Sequence, residues 1–198
     1  MPPTPDFLVN LASDSGTGID TDSDPTTLTL SEAIFQANTA GGGRIILQTD
    51  VMVTGVMKRL LDSDIEILGD DPDTAGTIET HSISGGDNFR PLFVKSGTIN
   101  LSNLTLTNGK AKGGNSLSGG GGAGMGGALF IYSGDVTAEN VTFSGNGAIG
   151  GDGRTTGLSY GGGGLFGDAG GGGGGGVFGN SATGVTGGYG GYGSYSGG

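Results

Sequence analysis

Cysteine is absent from the chain. That excludes a disulfide scaffold, a thiolate zinc site and a thiol nucleophile. Histidine occurs once, as His81. With no serine or cysteine at a recognisable spacing it forms no triad, and it reads as a surface or edge residue. Basic residues are scarce, 8 Lys and Arg against 19 Asp and Glu, for a net charge of -11. So anionic a chain repels phosphate backbones, which argues against a nucleic-acid partner. Purely apolar runs last only a few residues, so membrane insertion is not expected either. The opening MPPTPDFLVN has neither a basic n-region nor an apolar h-region. No ordinary secretory signal is visible there, and the export route stays unread.

What the chain has in excess is glycine, 49 of 198 residues, placed unevenly. Twelve fall within residues 1–112 and 37 in the remaining 86. The first part carries a net charge of -8 and the second -3. No Gly-X-Y period runs through either, so a collagen triple helix is excluded. A flexible linker is the usual reading of a stretch such as residues 170–176. Against it, apolar clusters recur within the glycine: Ala128-Leu129-Phe130-Ile131, Leu165-Phe166 and Val177-Phe178.

A repeat organises the centre of the chain. LFVKSGTINLSNLTLTNG (residues 92–109) aligns without gaps on LFIYSGDVTAENVTFSGN (residues 129–146), 37 positions later, with six of 18 residues identical. In each copy apolar residues alternate, Ile99 and Leu101 in the first and Val136 and Ala138 in the second. The parity then flips, to Leu104 and Leu106 and to Val141 and Phe143. Period two marks a strand with one buried face. A flip across two residues marks a corner that keeps the same face inward. Asn103 and Asn140 stand at these corners, and asparagine tolerates the left-handed backbone of a tight bend. Strand, corner, strand and a variable loop make one coil of a parallel β-solenoid, with coils stacked at roughly 4.8 Å. Stacking places Asn103 under Asn140 as a corner ladder. The excess over one bare coil is the glycine-rich insertion at residues 112–127, expected to loop out from one edge. Ile45-Ile46-Leu47, Val51-Met52-Val53, Ile65-Glu66-Ile67 and Thr77-Ile78 fit as earlier, irregularly spaced coils. An antiparallel sandwich also alternates every second residue, but it does not usually repeat one corner residue in one frame.

Ahead of these coils, Thr29-Leu30-Ser31-Glu32 forms a capping box that starts a helix over about residues 30–38. Leu30, Ala33, Ile34 and Ala37 share its apolar face, and Asn38 with Gly41-Gly42-Gly43 stops it. Placed directly before the first coil, this helix is expected to cover the open solenoid end. The expected organisation is therefore a cap over residues 1–43, coils over 44–150 and a glycine-rich region over 151–198.

The runs FLVNLASDSGTG, LTLSEAIFQAN, GGGRIIL and SGTINLSNLTLTNG together resemble the start of bacterial surface proteins of the pectin-lyase-like parallel β-helix class. These include polymorphic outer-membrane and haemagglutinin-like proteins, whose first coil is marked by a Cys-Ser-Leu-Arg-Glu-Ala-Ile box. Leu30, Glu32, Ala33 and Ile34 match that box, while Leu28 stands in the place of its cysteine and Ser31 in that of its arginine. The resemblance covers most of residues 7–150. It implies a right-handed parallel β-helix and leaves activity open, since such folds host many functions.

Enzymes of this fold need clustered carboxylates and a basic residue. The glycine-rich coils offer Asp135, Glu139, Asp152 and Asp168, with Arg154 the only basic residue and no paired-Asp motif. They read as solvated carboxylates. Asp20, Asp22 and Asp24 have the alternating oxygen spacing of a calcium loop. The EF-hand form fails, because Pro25 replaces the needed glycine and Ser31 the terminal glutamate. Asp70-Asp71-Pro72-Asp73 is a second acidic turn. Calcium at the first cluster is the one cofactor these residues suggest. In the closing GGYGGYGSYSGG, Tyr189, Tyr192 and Tyr195 recur every third residue, which suits a threefold polyglycine helix with a tyrosine stripe. They are a candidate contact surface.

No C-terminal cap is evident in the pattern, so an open solenoid end is expected to stack on another copy or be closed by the glycine tail. The function expected is a non-enzymatic extracellular structural protein, a fibre or matrix subunit or an adhesive surface module. Its partners are other copies of itself, and surface glycans as a second class. A glycan-binding tip using the Gly/Tyr loops and, less favoured, a polysaccharide-degrading enzyme are the alternatives.

Overall fold

The computed structural model describes residues 4–18, 26–71, 80–116, 120–153, 164 and 168. The elements are β1 (Asp6–Val9), β2 (Ser13–Asp14), α1 (Leu30–Ala40), β3 (Gly42–Leu47), β4 (Val51–Val53), β5 (Asp64–Leu68) and β6 (Ser82–Ser84), then β7 (Leu92–Val94), β8 (Thr98–Ser102), β9 (Thr105–Thr107), β10 (Lys110–Lys112), β11 (Leu129–Ile131), β12 (Asp135–Glu139), β13 (Thr142–Ser144) and β14 (Gly147–Ile149). They form a parallel β-solenoid. One sheet runs β1-β3-β5-β8-β12 and a second β2-β4-β6-β9-β13, with two-stranded β7-β11 and β10-β14 beside them. The pairings are parallel throughout. Each rung gives one strand to each large sheet.

The two repeat copies are successive rungs, in the frame their alignment implies. Leu92 pairs with Leu129, Ile99 with Val136 and Leu106 with Phe143. Register turns each inward position into a column. Phe7, Ile45, Ile67, Leu101 and Ala138 make one. Val51, Ile83, Leu106 and Phe143 make another. These columns fill a continuous apolar core, in which each fully buried Ile or Leu contributes about 1.5–3 kcal/mol. Both corners have the left-handed backbone, φ 54° at Asn103 and 53° at Asn140. The Asn140 Nδ2 donates to Asn103 Oδ1 at 3.2 Å.

The helix is closed at both ends. Thr29 accepts from the Glu32 N–H at 3.3 Å, and Glu32 returns a carboxylate to the Thr29 N–H at 2.8 Å. Gly41, at φ 81°, provides the left-handed C-cap two residues later than the sequence suggested. Asn38 does not stop the helix. Its amide instead bonds the Leu60 carbonyl and the Asp62 N–H, tying the last helical turn to the next rung. Leu61 bridges Val94 of β7, which in turn pairs with β11. The helix therefore packs beside β1, β3 and β5 as the third side of the early rungs.

It does not precede the first rung, as expected, but follows it. Strand β1 pairs with β3 and β2 with β4 upstream of the helix. These strands escaped notice because β1 has four residues and β2 is Ser-Asp, too short and too polar to show alternation. Strands β3, β4 and β5 lie on three of the segments expected to be coils. The fourth, Thr77-Ile78, lies outside the described residues, and β6 was not foreseen.

The described residues divide into two compact units, residues 1–110 with 127–147, and residues 111–126 with those from 148 onward. In the second, glycine backbones pack directly on each other. The Gly122 N–H donates to Gly114 O and the Gly151 N–H to Gly122 O, both at 2.8 Å. A Cβ on Gly113 would overlap the Gly122 carbonyl, and one on Gly151 the Gly114 carbonyl. Close approach of three backbone segments, rather than linker flexibility, is the reason for glycine in the 112–127 insertion.

Glycine is also required at the turn before β8, where Gly97 has φ 90° and a Cβ would meet the Ser63 carbonyl of the rung below. Gly134, in the next copy, sits in the same way over Gly97. By contrast, Gly41 has open space where its Cβ would be. Gly97→Ala is expected to destabilise by roughly 3 kcal/mol, strain and overlap together, and Gly41→Ala by about 1 kcal/mol from left-handed strain alone. Urea unfolding midpoints check the order; equal losses would remove the stacking argument.

Candidate functional site

The inward pattern of the fourth rung is complete: Leu92, Val94, Ile99, Leu101, Leu104 and Leu106 are all buried. The fifth rung repeats the pattern with a different outcome. Leu129, Val136 and Val141 are only partly buried against the core, Ile131 is 47% exposed and Phe143 51%. Chemistry and register are the same, so what differs is cover. Strands β11, β12 and β13 each have a neighbour on one side only among the described residues. Their free edges carry backbone donors and acceptors around an apolar centre. Such an edge is a template for further strand pairing.

On the outside of this rung, the Phe130 ring packs at 5.0 Å from Phe93, with the Arg90 guanidinium 5.5 Å from the Phe130 ring. Burial pushes the Arg90 pKa down to about 10. Asp135 and Glu139 are exposed and stand on the outward parity of β12, opposite Val136 and Ala138. Four residues of strand separate them by about 13 Å, farther than carboxylates that flank one glycosidic bond.

The first rung is built the other way. Asp14 is fully buried and accepts from the Ser31 N–H and Ser31 hydroxyl at 2.6 Å and from the Gly16 N–H at 2.7 Å. Past β1, the Asn10 and Leu11 N–H groups donate to Leu28 O. The Asn10 side chain bonds Thr26 O and the Leu28 N–H. Residues 26–28 thus satisfy the chain where it leaves β1, and Val9 inside is wholly buried. Arg44 clamps β1 to β3 by a two-pronged contact with Asp6, both arms 2.6 Å.

Of the sequence-derived candidates, Asp20, Asp22 and Asp24, Arg154, and Tyr189, Tyr192 and Tyr195 lie outside the described residues. Among the described residues no group of three or more His, Asp or Glu side chains is placed to hold a metal. His81 Nδ1 lies 3.8 Å from Asp50 Oδ1. Asp152 lies 3.6 Å from the Lys112 ammonium, and Asp168 accepts from the Asn115 N–H. Sequence reasoning passed over Asp14, Ile131 and Phe143. The Asp-x-Gly at Asp14 was a readable turn signal. For the other two, the signal was that no third copy of the LF-x-x-SG repeat follows the second. No family model, curated protein or solved structure matches the chain.

Two variants test the closed rung. Asp14→Ala leaves three buried donors without an acceptor and is expected to cost about 3 kcal/mol or more, read by urea unfolding. The Arg44 hydrogen bond holds the Asp6 carboxyl below its ordinary 3.8. A depressed folded value gives stability that is present above the unfolded pKa and lost as pH falls through the folded one. Asp6→Asn should therefore lose about 0.5–1 kcal/mol at neutral pH, a solvent-screened amount. The gap to the parent should close below about pH 4; a gap independent of pH would refute the pairing.

Proposed function

We propose that this chain is a non-enzymatic structural protein acting outside the cell, a self-associating fibre or matrix subunit or an adhesive surface module. One observation carries the reading most: the fifth rung leaves three strand edges and an apolar centre uncovered, while the first rung is sealed. A monomeric surface does not ordinarily leave such a patch without use. The net charge of -11 fits this role, because like charges weaken lateral clumping and leave the rung end as the favoured contact. Membership of the pectin-lyase-like surface proteins is part of the proposal. It is supported by the parallel solenoid together with the partial box at Leu30, Glu32, Ala33 and Ile34.

Sedimentation of the full chain over a wide concentration range tests the reading. Larger species should grow in with concentration. Phe143→Asp should keep the chain monomeric throughout, while its stability changes by no more than about 1 kcal/mol, since half the ring is already in water. A sedimentation coefficient that stays monomeric at every concentration would overturn the assignment.

A further inference from the structure

The contrast between the two ends says how copies should meet. We infer that a second copy of this chain docks open rung to open rung, as a two-fold pair, rather than stacking head to tail. The inference rests on the self-association reading above and specifies its geometry.

A head-to-tail stack sets the fifth rung of one copy on the first rung of the next. There Val9 and Asp14 are already buried, and the Asn10 and Leu11 N–H groups beyond β1 are bonded to Leu28 O. Ile131, Phe143 and Val136 would find no apolar counterpart. In the two-fold contact the same residues meet themselves, so each copy covers the other's apolar centre and offers free strand edges to free strand edges. An isologous contact of this kind closes at two subunits.

The area suffices for a reversible pair. The eleven strand residues of the rung span about 36 Å of backbone in a layer about 10 Å deep. With the enclosed centre that is on the order of 500 Å² a side, and about 1,000 Å² for the pair reaches the threshold for a specific interface. Strands β11–β13 carry Asp135 and Glu139 but no Lys or Arg. Two copies therefore bring like charges together, and salt should strengthen the pair.

Because the chain has no cysteine, each introduced thiol is unique. Ala138→Cys places one on the open rung, and Leu8→Cys places one at 40% exposed Leu8 on the first. The full-length variants are treated with a short bis-maleimide. Ala138→Cys alone should give a covalent dimer, Leu8→Cys alone no dimer, and the double variant dimers without longer ladders. The dimer yield should rise several-fold from about 0.02 M to 0.5 M salt. A ladder in the double variant, with monomer in Ala138→Cys alone, would mean head-to-tail stacking: self-association would survive and this inference would fall. If the thiol introduced by Ala138→Cys does not react with a monofunctional maleimide, the chain covers its own open rung, which also overturns the inference. Reactive thiols with no cross-link in any variant would remove self-association itself.

Discussion

Parallel backbone pairing between rungs is the constraint from which the rest follows. A parallel ladder holds each residue directly above its partner, so one inward position propagates as a column through successive rungs. The column through Val51, Ile83, Leu106 and Phe143 stays dry only where another rung lies above it. The same stacking forces glycine where a carbonyl of the lower rung comes close, as at Gly97 and Gly134. It also accounts for asparagine at both corners, since the bend has to recur in the same place with the same left-handed backbone.

A stacked fold has two ends, and this chain treats them differently. At the first rung a buried carboxylate, a capped helix and a returning segment use up the polar groups. Hydrogen bonds to a buried charge are strong and directional, so Asp14 binds the helix start firmly to β2. At the fifth rung nothing comparable is present among the described residues. The same alternation that buries Leu106 leaves Phe143 half in water. The functional proposal grows from that difference, not from any cluster of reactive groups.

Glycine has two distinct uses. In the solenoid it serves single turns, where φ is positive and a carbonyl lies close. In the unit built from residues 111–126 and those from 148 onward, it allows backbone to lie on backbone, with hydrogen bonds of 2.8 Å between segments. Composition alone could not separate the second use from a linker, because both call for the absence of a side chain.

The local patterns of this chain were legible in its residues. The repeat pairing, the corner positions and the capping box each arise from interactions within a few residues or from a frame that alignment exposes directly. The first rung was not legible: Ser13 and Asp14 show no apolar alternation, and Asp14 is explained only by Ser31, seventeen positions away. Nor was the fate of the fifth rung, because its pattern equals that of the fourth. Sequence by itself determined which side chains point inward, since period two is a property of the strand. Tertiary structure alone decided which of them are covered, since burial depends on what lies on top.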